Sequence, residues 1–487
     1  MMRPISMAVA AAAIFVAIIT QRLPDLIERA VTLSAGDDRP GLRRLQIGHA
    51  MAGGGRAGAE VMADAILTTL WSKVFGVQDT RSRLAWRGLT DALAAAEDRY
   101  LSPSWGFGLG PDTFAAIEIA EGLRYVAHVT RLALDVYLEE SPRFVRMVSP
   151  TLKLLGDNPD AVYHMANLRL DGGIGGGGEF VVEGCRGKEE VYFSLSVHAP
   201  SLTGGAFERV IRDVNDETIA FDSDGCYRLH LSPRKPDEAV LEGSTWLETP
   251  REASSLVTRH YFRSWPPAAI HQEVNLSIWY TGEEKSLVPK PISDEAMAHR
   301  IDLATDFIRR HTILMPQPDP TTAPPFFSLE PNQIGIPQKW SDADTDGMGA
   351  VDIAYAAGRF RLEEGEALIL EGSVPRCRFA NVVLWNRYLQ TLDYTAYDTH
   401  PVYHTLHVPG EEIKDPAPFS LVLSKTRPES ASAAQYEWIF TEGRPMGTVF
   451  FRFLLPEGDG HEYEKIRAIV VPVAQVEQYF EGKTTAK

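Results

Sequence analysis

Residues 360–394, RFRLEEGEALILEGSVPRCRFANVVLWNRYLQTLDY, decide how the chain is read. The stretch opens on alternating residues, turns at Glu364-Gly365, and runs through Ala367-Leu368-Ile369-Leu370 to a second turn expected at Gly372-Ser373. Beyond Pro375, Phe379, Val382, Val383, Leu384, Trp385, Tyr388 and Leu389 crowd around Arg378, Asn381, Asn386 and Arg387. Apolar bulk with a few interspersed polar groups is the make-up of a core or of a pocket wall. The stretch reads as a strand pair plus a bend, with Trp385 in the core. Asn381, Asn386, Arg387 and Asp393 are its polar members, placed to face a ligand.

Downstream, residues 338–487 read as one β region. Strands are expected to pair 366–371 with 377–384 and 418–424 with 447–454. The run 447–455 is apolar enough to be central, and Ile469-Val470-Val471-Pro472-Val473 suits an edge, where proline's missing N–H is tolerated. Upstream, the proline-rich 316–337 reads as an extended crossing. Residues 156–315 form another β region, whose short strands at turn-punctuated spacing indicate a sandwich; Val274, Leu276, Ile278 and Tyr280 alternate most cleanly. Within it a solitary helix spans 293–311, capped by Ser293, with Met297, Ile301, Ala304 and Ile308 as its buried stripe. The run Gly172–Gly178 lacks a following helix and a lysine, so it reads as a hairpin loop and not a phosphate cradle.

Residues 59–155 have helical period. Their clearest helix runs from Asp112 to Glu140, with Ile119, Leu123, Val126, Thr130, Ala133 and Tyr137 as the apolar stripe. Glu118, Glu121, Tyr125, His128, Arg131 and Asp135 fall on another face, which is either solvated or lines a cleft. Gly156 with Asp157-Asn158-Pro159-Asp160 closes this region with helix-stop and Asx-turn chemistry. Residues 21–58 read as a linker. Residues 1–20, one arginine followed by an apolar run, read as a signal peptide or short membrane anchor through residues 5–20. The expected location is the cell envelope, membrane-anchored or exported, with a cytoplasmic protein as the alternative.

At 487 residues the chain needs more than one core. Its formal charge of −17 opposes nonspecific nucleic-acid binding, which requires a basic footprint. Three cysteines, Cys185, Cys226 and Cys377, offer no metal spacing; a Cys185–Cys226 disulfide is open to an exported chain.

Several short pieces, in order, carry a resemblance. They are Glu121–Tyr125, Gly156–Asp160 with Tyr163, Tyr355–Phe360, Glu366–Leu368, Asn381 with Leu384–Tyr388, Leu392–Tyr394 and Gly447–Arg452. Over roughly residues 80–480 the chain resembles the bacterial family catalogued as domain of unknown function 1214. The resemblance implies helices followed by jelly-roll-like layers and supplies no activity. Ala380 and the run Tyr436–Phe440 depart from the family's pattern. The expected fold class is therefore α+β: an N-terminal helical region, then antiparallel β-sandwich layers with one intervening helix.

Candidate chemistry is sparse. Asp342, Asp344 and Asp346, followed by Gly347, have the spacing that aims three carboxylates at one calcium ion, with Asp352 a later ligand, but the twelfth-position Glu is missing. No other cofactor is indicated. His400, His404 and His407 converge on a metal only through a turn, since strand neighbours of odd spacing point apart. Asp393, His404 and Glu121 are the candidate general acid–base groups, Glu121 also with His128; Arg387 and Asp393 form the alternative structural ion pair. No nucleophile elbow, Walker, zincin or dinucleotide motif has its supporting context. Three readings follow: a β-sandwich binding a carbohydrate-like or amphipathic small molecule, a hydrolase on a glycan-like or lipid-like substrate, and an envelope structural or interaction protein.

Overall fold

Strands that are apolar on both faces need cover on both, and in this chain four sheets supply it for one another. The structure is a computed structural model that describes residues 80–105, 116–139, 145–168, 179–200, 207–264, 266–281, 292–317, 319–321, 323–340, 349–396, 399–406, 416–428, 435–458 and 463–484. Residues 1–58, the glycine run, Asp112, His407 and the Asp342, Asp344 and Asp346 set lie outside them. Among the described residues no helix is long and apolar enough to cross a membrane.

Eight strands make the first half: β1 (Ala161–Asn167), β2 (Phe180–Cys185), β3 (Glu190–Pro200), β4 (Phe207–Asn215), β5 (Cys226–Ser232), β6 (Thr245–Glu248), β7 (Ser255–Phe262) and β8 (Leu276–Tyr280). They form sheet A, ordered β1-β7-β3-β4, and sheet B, ordered β6-β5-β2-β8. After the short β9 (Phe327–Ser328) and β10 (Gln338–Lys339), eight more follow: β11 (Ile353–Arg361), β12 (Glu366–Val374), β13 (Phe379–Trp385), β14 (Tyr403–Thr405), β15 (Ala417–Ser424), β16 (Glu437–Phe440), β17 (Met446–Leu454) and β18 (Arg467–Pro472). Sheet C runs β10-β11-β17-β13-β14, with β9 parallel to β11, and sheet D runs β16-β15-β12-β18.

The two halves repeat one topology. Adding ten to each strand number of sheet A gives the order of sheet C without its extra edge strands; the same operation turns sheet B into sheet D. Even the parallel pairing within the repeat recurs, since β5–β6 and β15–β16 are both parallel. So does its fastening: Trp246 Nε1 donates to Ser232 Oγ, and Trp438 Nε1 to Ser424 Oγ. Sheets A and B share one buried cluster, built on Phe193, Leu195, Leu229 and Ile278. Sheets C and D share another, which also takes in Ala161, Tyr192 and Tyr261 of sheet A. Sheet C is therefore covered on both faces, and every residue of β13 is buried.

Three helices, α1 (Arg81–Ala95), α2 (Ala116–Tyr137) and α4 (Asp294–Arg310), share a cluster with Met165, Phe207 and Val257 of sheet A; α3 (Ala268–His271) is a single turn and α5 (Val476–Thr484) closes the chain. Ser293 caps α4 as expected, accepting from the Ala296 N–H. The helix is not solitary, however, because its apolar stripe is what α1 and α2 pack against.

Three further expectations are corrected. Residues 366–371 do not pair with 377–384, nor 418–424 with 447–454: β12 pairs with β15 and β18, and β13 with β17 and β14. Gly372-Ser373 lies inside β12 and is not a turn. β12 and β13 lie in different sheets, as do β15 and β17, so nearness in sequence misassigned the partners. The stripe expected on α2 holds towards its end, where Ala133 and Tyr137 are buried, but is rotated at its start: Ile119 and Leu123 are 43% and 48% exposed, while Glu118, Gly122 and Tyr125 are buried. The cause is tertiary. Gly122 lets the Tyr388 ring onto the helix; a Cβ there would lie 2.8 Å from Tyr388 Cζ and 2.3 Å from Leu101 Cδ2. Two placements agree with expectation: β17 is central in sheet C, and β18, which carries Pro472, is an edge.

Candidate functional site at the facing polar rows

Residues directly opposite in a ladder share a face. Across sheet A, register aligns Tyr163 with Arg259, Arg259 with Ser194, and Ser194 with Asn215. Across sheet C it aligns Tyr355 with Arg452, Arg452 with Asn381, and Asn381 with Thr405. These are equivalent positions of the two halves, so tyrosine and arginine repeat while Ser194 and Asn215 answer to Asn381 and Thr405. Neither row belongs to an apolar stripe: in sheet A it lies between Ala161–Tyr261–Tyr192, which joins the core of sheet C, and Met165–Val257, which joins the helices.

Each row receives an aspartate from the other half. Asp160, the residue before β1, accepts from Asn381 Nδ2 at 2.7 Å and lies 3.4 Å from Thr405 Oγ1. Asp352, the residue before β11, accepts from Tyr192 Oη at 2.7 Å and Asn215 Nδ2 at 2.8 Å. The carbonyls of the pair are also used alike, by Phe262 N–H and Leu455 N–H. Asn158 adds to the Asp160 end, exchanging hydrogen bonds with Asn381 at 2.9 and 3.3 Å. Burial there pushes the Asp160 carboxyl up to about 6, against the bonds from Asn381 and Thr405 and the Arg452 charge. At the other end Asp213 is also pushed up to about 6, by burial and then by the Asp352 charge, with Arg259 opposing.

A clasp of two loops closes the Asp160 end. Lys153, Leu155 and Gly156 hold positive φ (66°, 54° and 75°), as does Leu389 (55°) opposite them. For the non-glycine residues this is a strained conformation that only surrounding bonds sustain. Those bonds are present: Lys153 Nζ donates to the Thr391 and Leu392 carbonyls, Thr391 N–H and Oγ1 donate to Asp157, and Trp385 Nε1 reaches the Asp157 carbonyl at 3.2 Å. Burial lowers the Lys153 ammonium to about 8, although the nearby acids resist. Arg452 Nη2 donates to the Gly156 carbonyl, with its guanidinium over Trp385. A recess of about 40 Å³ beside the clasp, lined by Asp157, Asn158, Tyr163 and Leu154 among others, has room for a few atoms only.

The expected site residues divide. Asn381 sits at the centre of the network with no exposed surface. Asn386 organises its own turn, accepting from Tyr388 N–H and Gln390 N–H. Arg387 does not pair with Asp393; buried under α2, it holds Glu118 at 3.0 Å and the Trp105 carbonyl. Glu121 is engaged by Arg444 through two bonds (3.0 and 2.6 Å), not by His128. Arg444 continues to Glu442, which receives Asp393 N–H, so Glu121 and Asp393 belong to one ion network. The Asp393 carboxylate is occupied by Thr395; desolvation pushes it up, but those bonds together with the Lys153 and Arg124 charges hold it below its ordinary range. His404 stands apart, opposite Val382, where burial lowers its imidazole against the Glu437 charge. No hydrogen bond or ion pair among the described residues joins Asp393, His404 and Glu121. His400 packs on Trp438 and Phe440, and the Asp352 carboxylate, considered for calcium, is committed to Tyr192 and Asn215.

Sequence reasoning missed Asp213, Ser194 and Arg259 as site residues, met Asp160 only as turn chemistry and within a family-like piece, and met Tyr163, Tyr355 and Arg452 only within such pieces. The signal that would have found them is the repeat, since Asp160 and Asp352, Tyr163 and Tyr355, and Arg259 and Arg452 recur at near-constant spacing. It also missed a relay of Glu190, His260 and Thr258, joined at 2.7 and 3.1 Å. All three are buried in the core between sheets A and B, which closes the relay to substrate.

The fold is similar to that of an uncharacterised protein from Burkholderia cenocepacia seen in a crystal structure, with a TM-score of 0.63 and 21% identity over 81% of this chain and 98% of that one. A Vibrio parahaemolyticus protein aligns with a TM-score of 0.40 and 9% identity over 78% of this chain and all of the other. No family model and no curated protein matches the chain.

Proposed function

From a fold shared with an uncharacterised protein, and no activity inherited through it, we propose that the chain is a ligand-binding protein of the cell envelope. Its ligand is a small carbohydrate-like molecule held between the polar rows of sheets A and C. One observation carries this reading: two buried guanidiniums, Arg259 and Arg452, each 4% exposed, share the interface with Asp160, Asp352 and Asp213 in the middle of otherwise apolar sheets. Burying so many polar groups is costly unless hydrogen bonding repays it, and carbohydrate sites use such planar polar side chains. Each half is read as a jelly-roll-like sandwich, supported by the cluster its two sheets share. The cross-strand disulfide between Cys185 and Cys226 supports an exported location. The likeness to domain of unknown function 1214 belongs to the same proposal. In its favour, Asn158, Asp160 and Tyr163, Asn381 and Trp385, and Arg452 come from three stretches far apart in sequence and gather around one network.

Native mass spectrometry of the full chain, purified without added sugars or polyols, tests the reading. The expected result is a discrete non-covalent mass increment that disappears on unfolding; a uniformly bare chain overturns it. A second reading, hydrolysis of a glycan-like substrate, is favoured by Asp213, which stands half-exposed near Asp352 and keeps its proton to an unusually high pH. Paired carboxylates in unlike environments are the arrangement for general acid–base work. That reading takes its acid–base pair from these two residues and not from Asp393, His404 and Glu121.

A further inference from the structure

One loop of the clasp, residues 149–157, belongs to no helix or strand, yet both its ends are fixed to sheet A. Val148 exchanges two hydrogen bonds with Met165 of β1, each 2.8 Å, and the turn at 158–160 runs directly into that strand. Between those points the loop is fastened to the second half of the chain. Gly156 N–H donates to the Leu389 carbonyl at 2.8 Å, Gln390 Nε2 to the Lys153 carbonyl at 3.0 Å, and Lys153 Nζ to the Thr391 and Leu392 carbonyls. Towards its own sheet the loop is loosely packed. A recess separates Thr151, Leu152, Leu154 and Asp157 from Val162 and Tyr163, and Leu152 is 38% exposed. Two unfavourable features meet at the fastening. Four of the six non-glycine residues with positive φ among the described residues stand there: Lys153, Leu155, Leu389 and Glu442, the last receiving Asp393 N–H. Strain gathered in one place is characteristic of segments that switch. The other feature is the Lys153 ammonium, which lies over the Tyr394 ring at 3.7 Å, buried and in no ion pair among the described residues.

We propose that residues 149–157 are a strap that opens away from the second half while its ends stay on β1, and that the charge of Lys153 governs how often it opens. Opening carries Lys153 into water, relieves the positive φ values and uncovers Asp157, Asn158 and the Asp160–Asn381 bond. It is also the route by which a ligand reaches rows that the closed protein buries; this role rests on the ligand-binding reading above, whereas the opening itself does not. The direction follows from solvation. Burial lowers the Lys153 ammonium from 10.5 to about 8, with Asp157, Asp393 and Glu442 resisting and Arg124 assisting. The closed strap therefore holds this proton less tightly than the open one. Opening is most favoured below pH 8, and the closed form gains as pH rises from 8 towards 10.5. The groups facing Lys153 and its strap are Asp157 on the strap itself, Asp393 and Tyr394 beyond β13, Glu442 before β17, Arg452 on β17, and Arg124 and His128 on α2. Carboxylates and guanidiniums keep their charge across that window. Burial raises Tyr394 and lowers His128, so neither titrates within it.

The test is hydrogen–deuterium exchange of the full chain, read by peptide mass spectrometry and corrected for intrinsic rates. Gly156 and Thr391, whose N–H groups bond across the fastening, report on the strap, and β13 reports on the core beneath it. At pH 7 the strap amides are expected to exchange about tenfold or more faster than those of β13. Between pH 7 and 9.5 their protection is expected to grow by about tenfold or more, while that of β13 does not follow. Lys153→Met has no charge to lose and Lys153→Arg keeps its charge throughout, so in both the pH dependence of the strap is expected to vanish. Should the Met variant fail to fold, the Arg variant and the pH series of the unaltered chain still decide. Strap amides as protected as β13 overturn the opening. Protection that is flat between the two pH values, or that rises equally in the variants, overturns the role of Lys153. An opening strap in a protein whose native mass is bare removes the ligand-binding reading alone; a bound ligand beside a strap no more open than β13 removes this inference alone.

Discussion

Asp160 brings a carboxyl into the interior with two asparagines and a threonine around it, and among the described residues it forms no ion pair. Its folded-state value, about 6, lies above the ordinary 3.8. The proton is therefore bound more tightly by the folded protein; the associated stability is complete below the unfolded value and is lost as pH rises through 6. At 1.36 kcal/mol per unit the loss is roughly 3 kcal/mol. Buried His164 and His198, lowered chiefly by burial to about 4 and 3, act in the opposite direction, because the unfolded chain takes up their protons first as pH falls. The measurement must therefore be a difference between proteins. Asp160→Asn is expected to raise Tm relative to the unaltered chain at pH 7.5 and to leave it unchanged at pH 4; an equal effect at both values would remove the titration argument. Little of this was legible beforehand. The turn chemistry of Asp157-Asn158-Pro159-Asp160 was plain, but its partner Asn381 lies 221 residues further on, and no local pattern announces such a pairing.

Among the elements, α2 shows where pattern reading stops. Its apolar residues do form a stripe, and Ala133 and Tyr137 of it are buried, yet the first half of the helix buries a different face because Gly122 admits Tyr388 and Glu118 meets Arg387. Gly122→Ala sets two effects against each other. Helix propensity favours alanine by up to about 1 kcal/mol, while overpacking against Tyr388 and Leu101 costs roughly 1–3 kcal/mol. The contact at 2.3 Å to Leu101 Cδ2 is too close for a small adjustment to relieve, so the substitution is expected to lower Tm in thermal unfolding. An unchanged or higher Tm would mean that the Tyr388 contact is loose. Strands were legible in proportion to their surroundings. The apolar run of β17 marked it as central, and Pro472 placed β18 at an edge; the partners of β12 and β13 were not legible, since both strands are covered on two faces and alternation carries no sheet address.

For the whole molecule, the core of sheets C and D includes Ala161, Tyr192 and Tyr261 from the first half, and α2 is pinned to the second half through Arg387 and Arg444. Pulling the halves apart would break the Arg387–Glu118, Arg452–Gly156 and Asp160–Asn381 contacts and open the shared apolar core to water. Calorimetry of the full chain is accordingly expected to show one cooperative transition, with calorimetric and van't Hoff enthalpies in agreement. Two resolved transitions would show the halves to be independent. The duplication leaves only a faint trace in the sequence, because topology has been kept while few side chains beyond the Asp160/Asp352, Tyr163/Tyr355 and Arg259/Arg452 pairs recur.

That duplication resembles a two-subunit assembly written into a single chain. A symmetric dimer must accept every substitution twice and comes apart on dilution. Tethered copies do neither, since linkage holds their effective concentration high whatever the amount of protein present. Freed from identity, one copy could drift. Asn381 and Ser194 record such a divergence: one crosses to the opposing Asp160 itself, and the other, shorter, leaves the bond to Asp352 to its neighbour Tyr192.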